Sequence, residues 1–525
     1  MKLYKSIFLL TLLISTMGFA QNKDSQFQKE WQEIDSLILT ANLPKTALEK
    51  INEVYKKAQA QQLAPEMIKA LIYRISMQNK VEEADANREI IELTSEIEKT
   101  DNASAKAILH SILAQNYVDI YNRDRWRISQ RSKTISFKKE DINTWSQDDF
   151  IKVVNENFKA SLEPVSLLQK TFLEKFNAII IAGNMRSLRP TLYDLLAHEA
   201  LDYFKNPIEP VTNPAYTFTL NDPVIFAPAE EFITHAFNSE DSSSSKLKAL
   251  KLFQQLIAFH KNDKDLNAFI DVDLERLQWM NQATIIPAKE DLYKHAIENI
   301  TEKYPDEIAS EEAWYILAKM LADKAGEKEH GNDSLNKYGL VKAKELIEQR
   351  LKIQPAAGKG NSDMQALLNS IIAVEINAKI EAVNVPGQAF RMFLQYKNIS
   401  TLYARILTNK DVEKLWKKYE NDSAWTQVSK LSFINNFTQA LPQEGDYKNH
   451  SAEVKVDGMQ PGDYYLLGSD TSDFSAIHKL FLVKFTVSNL ACINNVDDYF
   501  VLNRETGEPI KNVSALFSWS EWSES

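Results

Sequence analysis

An α+β, multidomain chain is predicted by three observations: a nearly glycine-free first half, a change of apolar period near residue 360, and short β-type runs separated by turn residues thereafter. Only Gly183 of the 13 glycines falls between residues 21 and 325. That points to continuous helix, because the turns of a sheet usually need the positive φ that glycine supplies. At 525 residues the chain is too long for one core and should divide into several units.

The opening MKLYKSIFLLTLLISTMGFA (1–20) has cationic Lys2 and Lys5, an apolar run from Ile7 to Ile14, and small Gly18 and Ala20 before a polar start. This is a cleavable signal peptide, with cleavage between Ala20 and Gln21. The apolar run is much shorter than the roughly 20 residues a bilayer span needs, so no stable membrane insertion is expected. A lipid anchor needs a cysteine at the new N-terminus, where Gln21 stands. Cys492 is the only cysteine, so no intramolecular disulfide can form. These features place the protein in the periplasm or outside a Gram-negative cell.

Residues 21–206 read as the first part of a helical array. Pro44 suits a first helical position, and Leu48, Ile51, Val54, Tyr55 and Ala58 recur on one face. A second start at Pro65 leads into Ile68, Leu71, Ile72 and Ile75, giving a helical hairpin. Residues 207–246 should be a crossing segment and flexible loop, with five prolines from Pro207 to Pro228 and then NSEDSSSSK. The array resumes over 247–357. There Leu292, Ala296, Ile297 and Ile300 precede Tyr304-Pro305, and a second face carries Ala313, Trp314, Leu317, Ala318 and Leu321. Ala343, Ile347 and Leu351 before Pro355 match the second helix of a tetratricopeptide (TPR) repeat, so the array is TPR-like with irregular pitch.

AAGKGNS (356–362) is expected to be the boundary. Beyond it Val374, Ile376, Ala378, Ile380 and Ala382 alternate with polar neighbours, the period of a strand. Strands are predicted at 389–397, 401–407, 452–456, 464–468 and 480–487, with a turn at Pro461-Gly462. They form a β-sandwich over 363–487. Residues 488–525 begin a second β-domain with a strand at 498–503 and a turn at Thr506-Gly507. That domain is expected to be incomplete and to leave an unpaired strand edge.

The formal charge of −11 falls to −13 without the two signal lysines, which disfavours nucleic acid and anionic surfaces as partners. His198-Glu199 starts a zincin-like motif, but Asp202 occupies the second ligand position. The arginine-rich stretch 122–133, with Trp126, could stack RNA bases. The preferred reading pairs Arg123, Arg125 and Arg127 with acids of neighbouring helices. WSEWS (519–523) spells a cytokine-receptor motif whose arginine ladder is missing, since only Arg504 is near. No catalytic, cofactor-binding or metal-ligating residue is expected.

Several stretches together resemble the large alpha-2-macroglobulin-family proteins exported by Bacteroidetes-type bacteria. They are LPKTALEKINEVYKKA (43–58) with APEMIKALIYR (64–74), NRDRWRISQRSKTISFKKEDINTWSQDDF (122–150), RPTLYDLLAHEALDYF (189–204), MQPGDYYLLGSD (459–470) and VSNLACINNVDDYFVLNRETGEPIKNV (487–513). The resemblance implies a helical region followed by macroglobulin-type β-sandwiches in series. It also implies a non-catalytic scaffold whose full-length form serves protease inhibition or envelope defence, with proteases or envelope proteins as partners. In many members a Cys-x-Glu-Gln thioester acts in later domains. Cys492 stands in CINN and lacks that motif, so the chain reads as the front portion of a longer protein. The alternative is a free-standing periplasmic TPR-like adaptor that binds peptides or proteins.

Overall fold

The structure, a computed structural model, describes residues 27–82, 85–130, 141–181, 183, 185–210, 216–241, 243–325, 337–353, 358–419, 422–475, 478–495, 498–514 and 516. The expected signal peptide, its cleavage site at Ala20 and Gln21, and WSEWS lie outside these residues. Helices fill the first part and sheets the second, so the chain is α+β. It divides into two compact units, 1–313 and 314–525.

Unit 1 is helical. Helices α1 (Gln28–Leu39), α2 (Pro44–Ala60) and α3 (Ala64–Val81) share one core, in which Trp31, Ile34 and Ile38 meet Ala47, Ile51, Val54 and Ala58, with Tyr73 and Met77 beneath. The i, i+3, i+4 spacing of these residues is what makes each helix amphipathic. A proline in the first turn of α2 and of α3 occupies a place where a backbone donor has no intrahelical partner. Next come α4 (Ala86–Lys99), α5 (Ala103–Ser129), α6 (Gln147–Ser161) and the short α7 (Val165–Leu168). Asp85 and Asn102 cap α4 and α5, and Ser146 with Asp149 forms a capping box on α6.

After α8 (Leu192–Lys205), the proline-rich segment is not wholly extended: Pro223–Phe226 is a 3-10 turn and Ala229–Phe232 is the short helix α9. The serine-rich loop expected to be flexible is also held. Asp241 is buried and accepts the Phe218 amide at 3.2 Å, and Ser244 caps the next helix through the Leu247 amide. Helices α10 (Ser245–His260), α11 (Asn267–Ala283) and α12 (Lys289–Lys303) follow, and α13 (Ser310–Lys324) contains the division between the units.

Unit 2 takes in the rest of α13, α14 (Gly339–Ile353) and α15 (Gly358–Ile372), whose Ala318, Ala343, Ile347, Met364, Leu368 and Ile371 are buried together. The boundary read at 356–362 is therefore misplaced, because residues 358–362 are the first turns of α15. Met364, Leu368 and Ile371 gain enough from burial on one face to override the roughly 1 kcal/mol that each glycine costs a helix. The β region starts at β1 (Glu375–Ile380), where the alternation from Val374 predicted a strand, and not at 363.

Two sheets enclose one core. The first has the order β1-β3-β6, with β3 (Phe390–Lys397) and β6 (His450–Val456). The second has the order β2-β8-β7-β4-β5, with β2 (Val383–Asn384), β4 (Thr401–Thr408), β5 (Asn435–Ala440), β7 (Gly462–Ser469) and β8 (Leu480–Val487). Met392, Leu394 and Val454 from the first sheet meet Leu402, Ile406, Leu466 and Phe485 from the second, which makes a β-sandwich.

Helices α16 (Asn409–Trp416) and α17 (Asp422–Val428) are inserted between β4 and β5. They bury Val412, Leu415, Ala424 and Val428 against Leu407 and Leu467, on the outer face of the five-stranded sheet. That sheet is thus covered on both faces.

The turns at 387 and 458 cross at backbone contact, where the Gly387 amide donates to the Met459 carbonyl at 2.9 Å. A Cβ on Gly458 would lie 2.4 Å from the Gly387 carbonyl carbon, and backbone cannot give way as a side chain can. Gly458→Ala is expected to destabilise the sandwich by about 1–3 kcal/mol, read as a lower melting temperature in the β circular-dichroism signal. An unchanged melting temperature would mean the turns can part freely.

The strand at 498–503 is paired along one edge, while along the other, among the described residues, the two-stranded sheet leaves it open as expected, apart from an isolated bridge between Leu502 and Pro509. As β10 (Asp498–Asn503) it pairs antiparallel over its whole length with β9 (Leu490–Asn495), for instance Phe500 with Ile493. The expected turn sits at Gly507, with φ of 71° and its amide bonded to the Asn503 carbonyl at 2.9 Å.

Candidate functional site

His198 lies on α8, but the residues it meets are not those of a metal helix. Helix α8 begins with a capping box in which Asp194 Oδ2 accepts the Thr191 amide at 2.9 Å and the Thr191 hydroxyl at 2.8 Å. The other oxygen, Oδ1, lies 2.8 Å from His260 Nε2 on α10. Asp194 therefore terminates one helix and anchors the next, and neither it nor His260 is more than 1% exposed at the side chain. One turn along, His198 Nδ1 is 2.7 Å from the Asp194 carbonyl oxygen, and Nε2 is 3.2 Å from Glu275 Oε2 on α11.

Glu275 is the hub on α11. Lys205 Nζ donates to its Oε1 at 2.6 Å, and Arg189 reaches its Oε2 at 3.6 Å. Burial alone would raise the Glu275 pKa, but His198 and Lys205 outweigh it and hold the carboxyl at about 2. Lys205, also 2.9 Å from Asp202, is raised because its two carboxylates outweigh burial. Of the zincin-like trio, then, His198 is buried in this network, Asp202 serves Lys205, and Glu199 is on the exposed side of α8.

Because the folded Glu275 pKa lies below its ordinary 4.5, its contribution is present above pH 4.5 and lost as pH falls toward 2. Up to about 3 kcal/mol is expected to disappear in that window. Acid titration of the unfolding midpoint should show the loss, and Glu275→Gln should remove it.

A second buried ion pair secures the crossing segment. Arg276 on α11 is fully buried. Its Nε donates to Asp273 Oδ1 at 2.8 Å, its Nη1 to the Ile225 carbonyl at 2.8 Å, and its Nη2 to the Ala227 carbonyl at 3.0 Å. Its guanidinium also lies 4.2 Å from the Phe232 ring centroid.

The arginine-rich stretch is the end of α5. Arg123 and Arg127 pair with Asp124 of their own helix, at 3.9 Å and 3.3 Å, and not, among the described residues, with an acid of a neighbouring helix. Asp124 stands three residues before Arg127, on the same face of the helix. Trp126 beside them is 80% exposed. Cys492 is a free, exposed thiol on β9 opposite Val501. The hairpin that carries it also exposes Leu490, Ile493, Tyr499 and Phe500, each about half accessible.

His260, Asp194 and Glu275 went unread in the sequence. The only local signals were an acid four residues before His198 and another three residues after His260, and neither spacing shows that the helices meet. No group of three or more His, Cys, Asp and Glu placed to hold a metal ion occurs among the described residues, and no described helix is long and apolar enough to cross a membrane. No family model matches the chain, and no curated protein matches it.

Proposed function

We propose that the chain is a non-catalytic interaction and scaffold segment of an exported alpha-2-macroglobulin-like protein, whose full-length form acts in protease inhibition or envelope defence. The β9–β10 hairpin carries the interaction part of this reading. Ile493 and Phe500, paired across the hairpin, are open to solvent on one face, and Leu490 and Tyr499 on the other; exposed apolar positions of this kind mark protein contacts. A two-stranded hairpin is only marginally stable alone, so a covering partner would also stabilise it. The order of helical hairpins followed by a two-sheet sandwich supports the family reading, together with the phrases that resemble it. His198 and His260 are buried in contacts between helices, which suits a structural role for them.

A second reading, a periplasmic TPR-like adaptor, is favoured by the way consecutive helices pack on one another from α1 to α3, from α4 to α6 and from α10 to α12. Such a one-dimensional stack leaves grooves for an extended peptide.

The test is a capture experiment with the chain from residue 21, using wild type and Phe500→Lys against an envelope extract, alongside an assay on peptide and glycan substrates. The scaffold reading expects no turnover and a partner that Phe500→Lys loses. Capture unaffected by that substitution but competed by extended peptides would favour the adaptor. Robust turnover would contradict both.

A further inference from the structure

His260 presents both ring nitrogens to carboxylates: Nε2 to Asp194 Oδ1 at 2.8 Å and Nδ1 to Asp263 Oδ2 at 2.7 Å. An ionised carboxylate only accepts, and a neutral imidazole has one N–H. A neutral ring would therefore aim a lone pair at one carboxylate, and only the imidazolium satisfies both. The His260 and Asp194 side chains are at most 1% exposed, so solvent cannot stand in for the donor between them, whereas Asp263 is 42% exposed and can turn to water. Asp194 cannot swing away, because Thr191 holds its second oxygen.

We propose that the His260–Asp194 contact is an alkaline-sensitive latch, which ties α8 to α10 most tightly while the ring is a doubly protonated imidazolium and loosens them when the ring becomes neutral and the bond loses its charge assistance.

The charges around the latch come from each neighbouring helix. Asp194 and His198 are on α8, and Asp263 follows α10. On α11, Glu275 and Asp271 face His198, with Arg189 and Lys205 paired to Glu275. His198 bonds the carbonyl of the same Asp194, so loosening at Asp194 also slackens the join to α11. Burial pushes the His260 pKa down, but Asp194 and Asp263 outweigh it and leave it above 6.5. The stability it contributes is therefore complete below pH 6.5 and is lost as pH rises through the folded value. An envelope protein meets external pH directly, where such a latch would respond.

The test is hydrogen exchange of the whole chain, read on peptides and corrected for intrinsic rates, at about pH 6 and about pH 9. Protection of α8 and α10 is expected to fall roughly tenfold for each unit by which the folded pKa exceeds the unfolded one. Helices α2 and α3 should not change, and His260→Gln, which does not titrate, should abolish the pH dependence. Equal protection of α8 and α10 at both pH values, or the same dependence in His260→Gln, overturns the latch. If His260→Gln does not fold, nitrogen NMR of histidine-labelled wild type decides. A buried ring protonated on both nitrogens near neutral pH supports the latch, and only neutral tautomers overturn it.

Discussion

Arg276→Ala is expected to cost unit 1 about 3–5 kcal/mol, because it leaves the Asp273 carboxylate buried without its counter-charge. The same change frees the Ile225 and Ala227 carbonyls, which the guanidinium ties to α11. Arg276→Lys keeps the charge but not the forked donors, so it should recover only part of the loss. Urea unfolding with peptide-resolved hydrogen exchange is the measurement, with deprotection expected first in 223–232 and along α11. A wild-type midpoint for Arg276→Ala would mean that the crossing segment is held by its apolar contacts alone.

Phe485→Ala should be comparably severe in unit 2, at about 3–5 kcal/mol for an aromatic core truncation. Phe485 is 1% exposed, with ring centroids of Phe390 and Tyr464 at 5.4 and 5.7 Å. It joins the two sheets at the centre of the sandwich, and the cavity left behind would be walled by strands that cannot collapse inward. Loss of exchange protection should appear in β3, β7 and β8 together. Loss confined to β8 would show that the sheets do not depend on each other for stability.

What the sequence revealed follows the range of each signal. Helices α2 and α3 and strands β3, β4, β7 and β8 were legible because their apolar periods are local. Helix α15 was not, since two glycines in its first turns read as a linker, and only the burial of Met364, Leu368 and Ile371 overrides them. β5 was missed because Asn435, Asn436, Thr438 and Gln439 form a polar, exposed edge with no period-2 apolar pattern. β9 was missed for a related reason, since its side chains are mostly exposed and only its pairing with β10 identifies it as a strand.

The buried network is the clearest case of a limit. Asp194, His260 and Glu275 are 66 and 81 positions apart from the first in sequence, and nothing in composition or spacing brings them together. His198 was noticed for its resemblance to a metal motif, yet the structure places it as a strut between helices. The electrostatics of this unit depend on tertiary packing that a linear reading cannot supply.

The central claim is that this chain is an exported segment of a larger macroglobulin-like protein. It is tested most directly by immunoblotting native envelope and cytoplasmic fractions with an antibody raised against the chain. The account predicts an envelope species well above 60.1 kDa that lacks residues 1–20. A cytoplasmic species of 60.1 kDa still carrying those residues would contradict it.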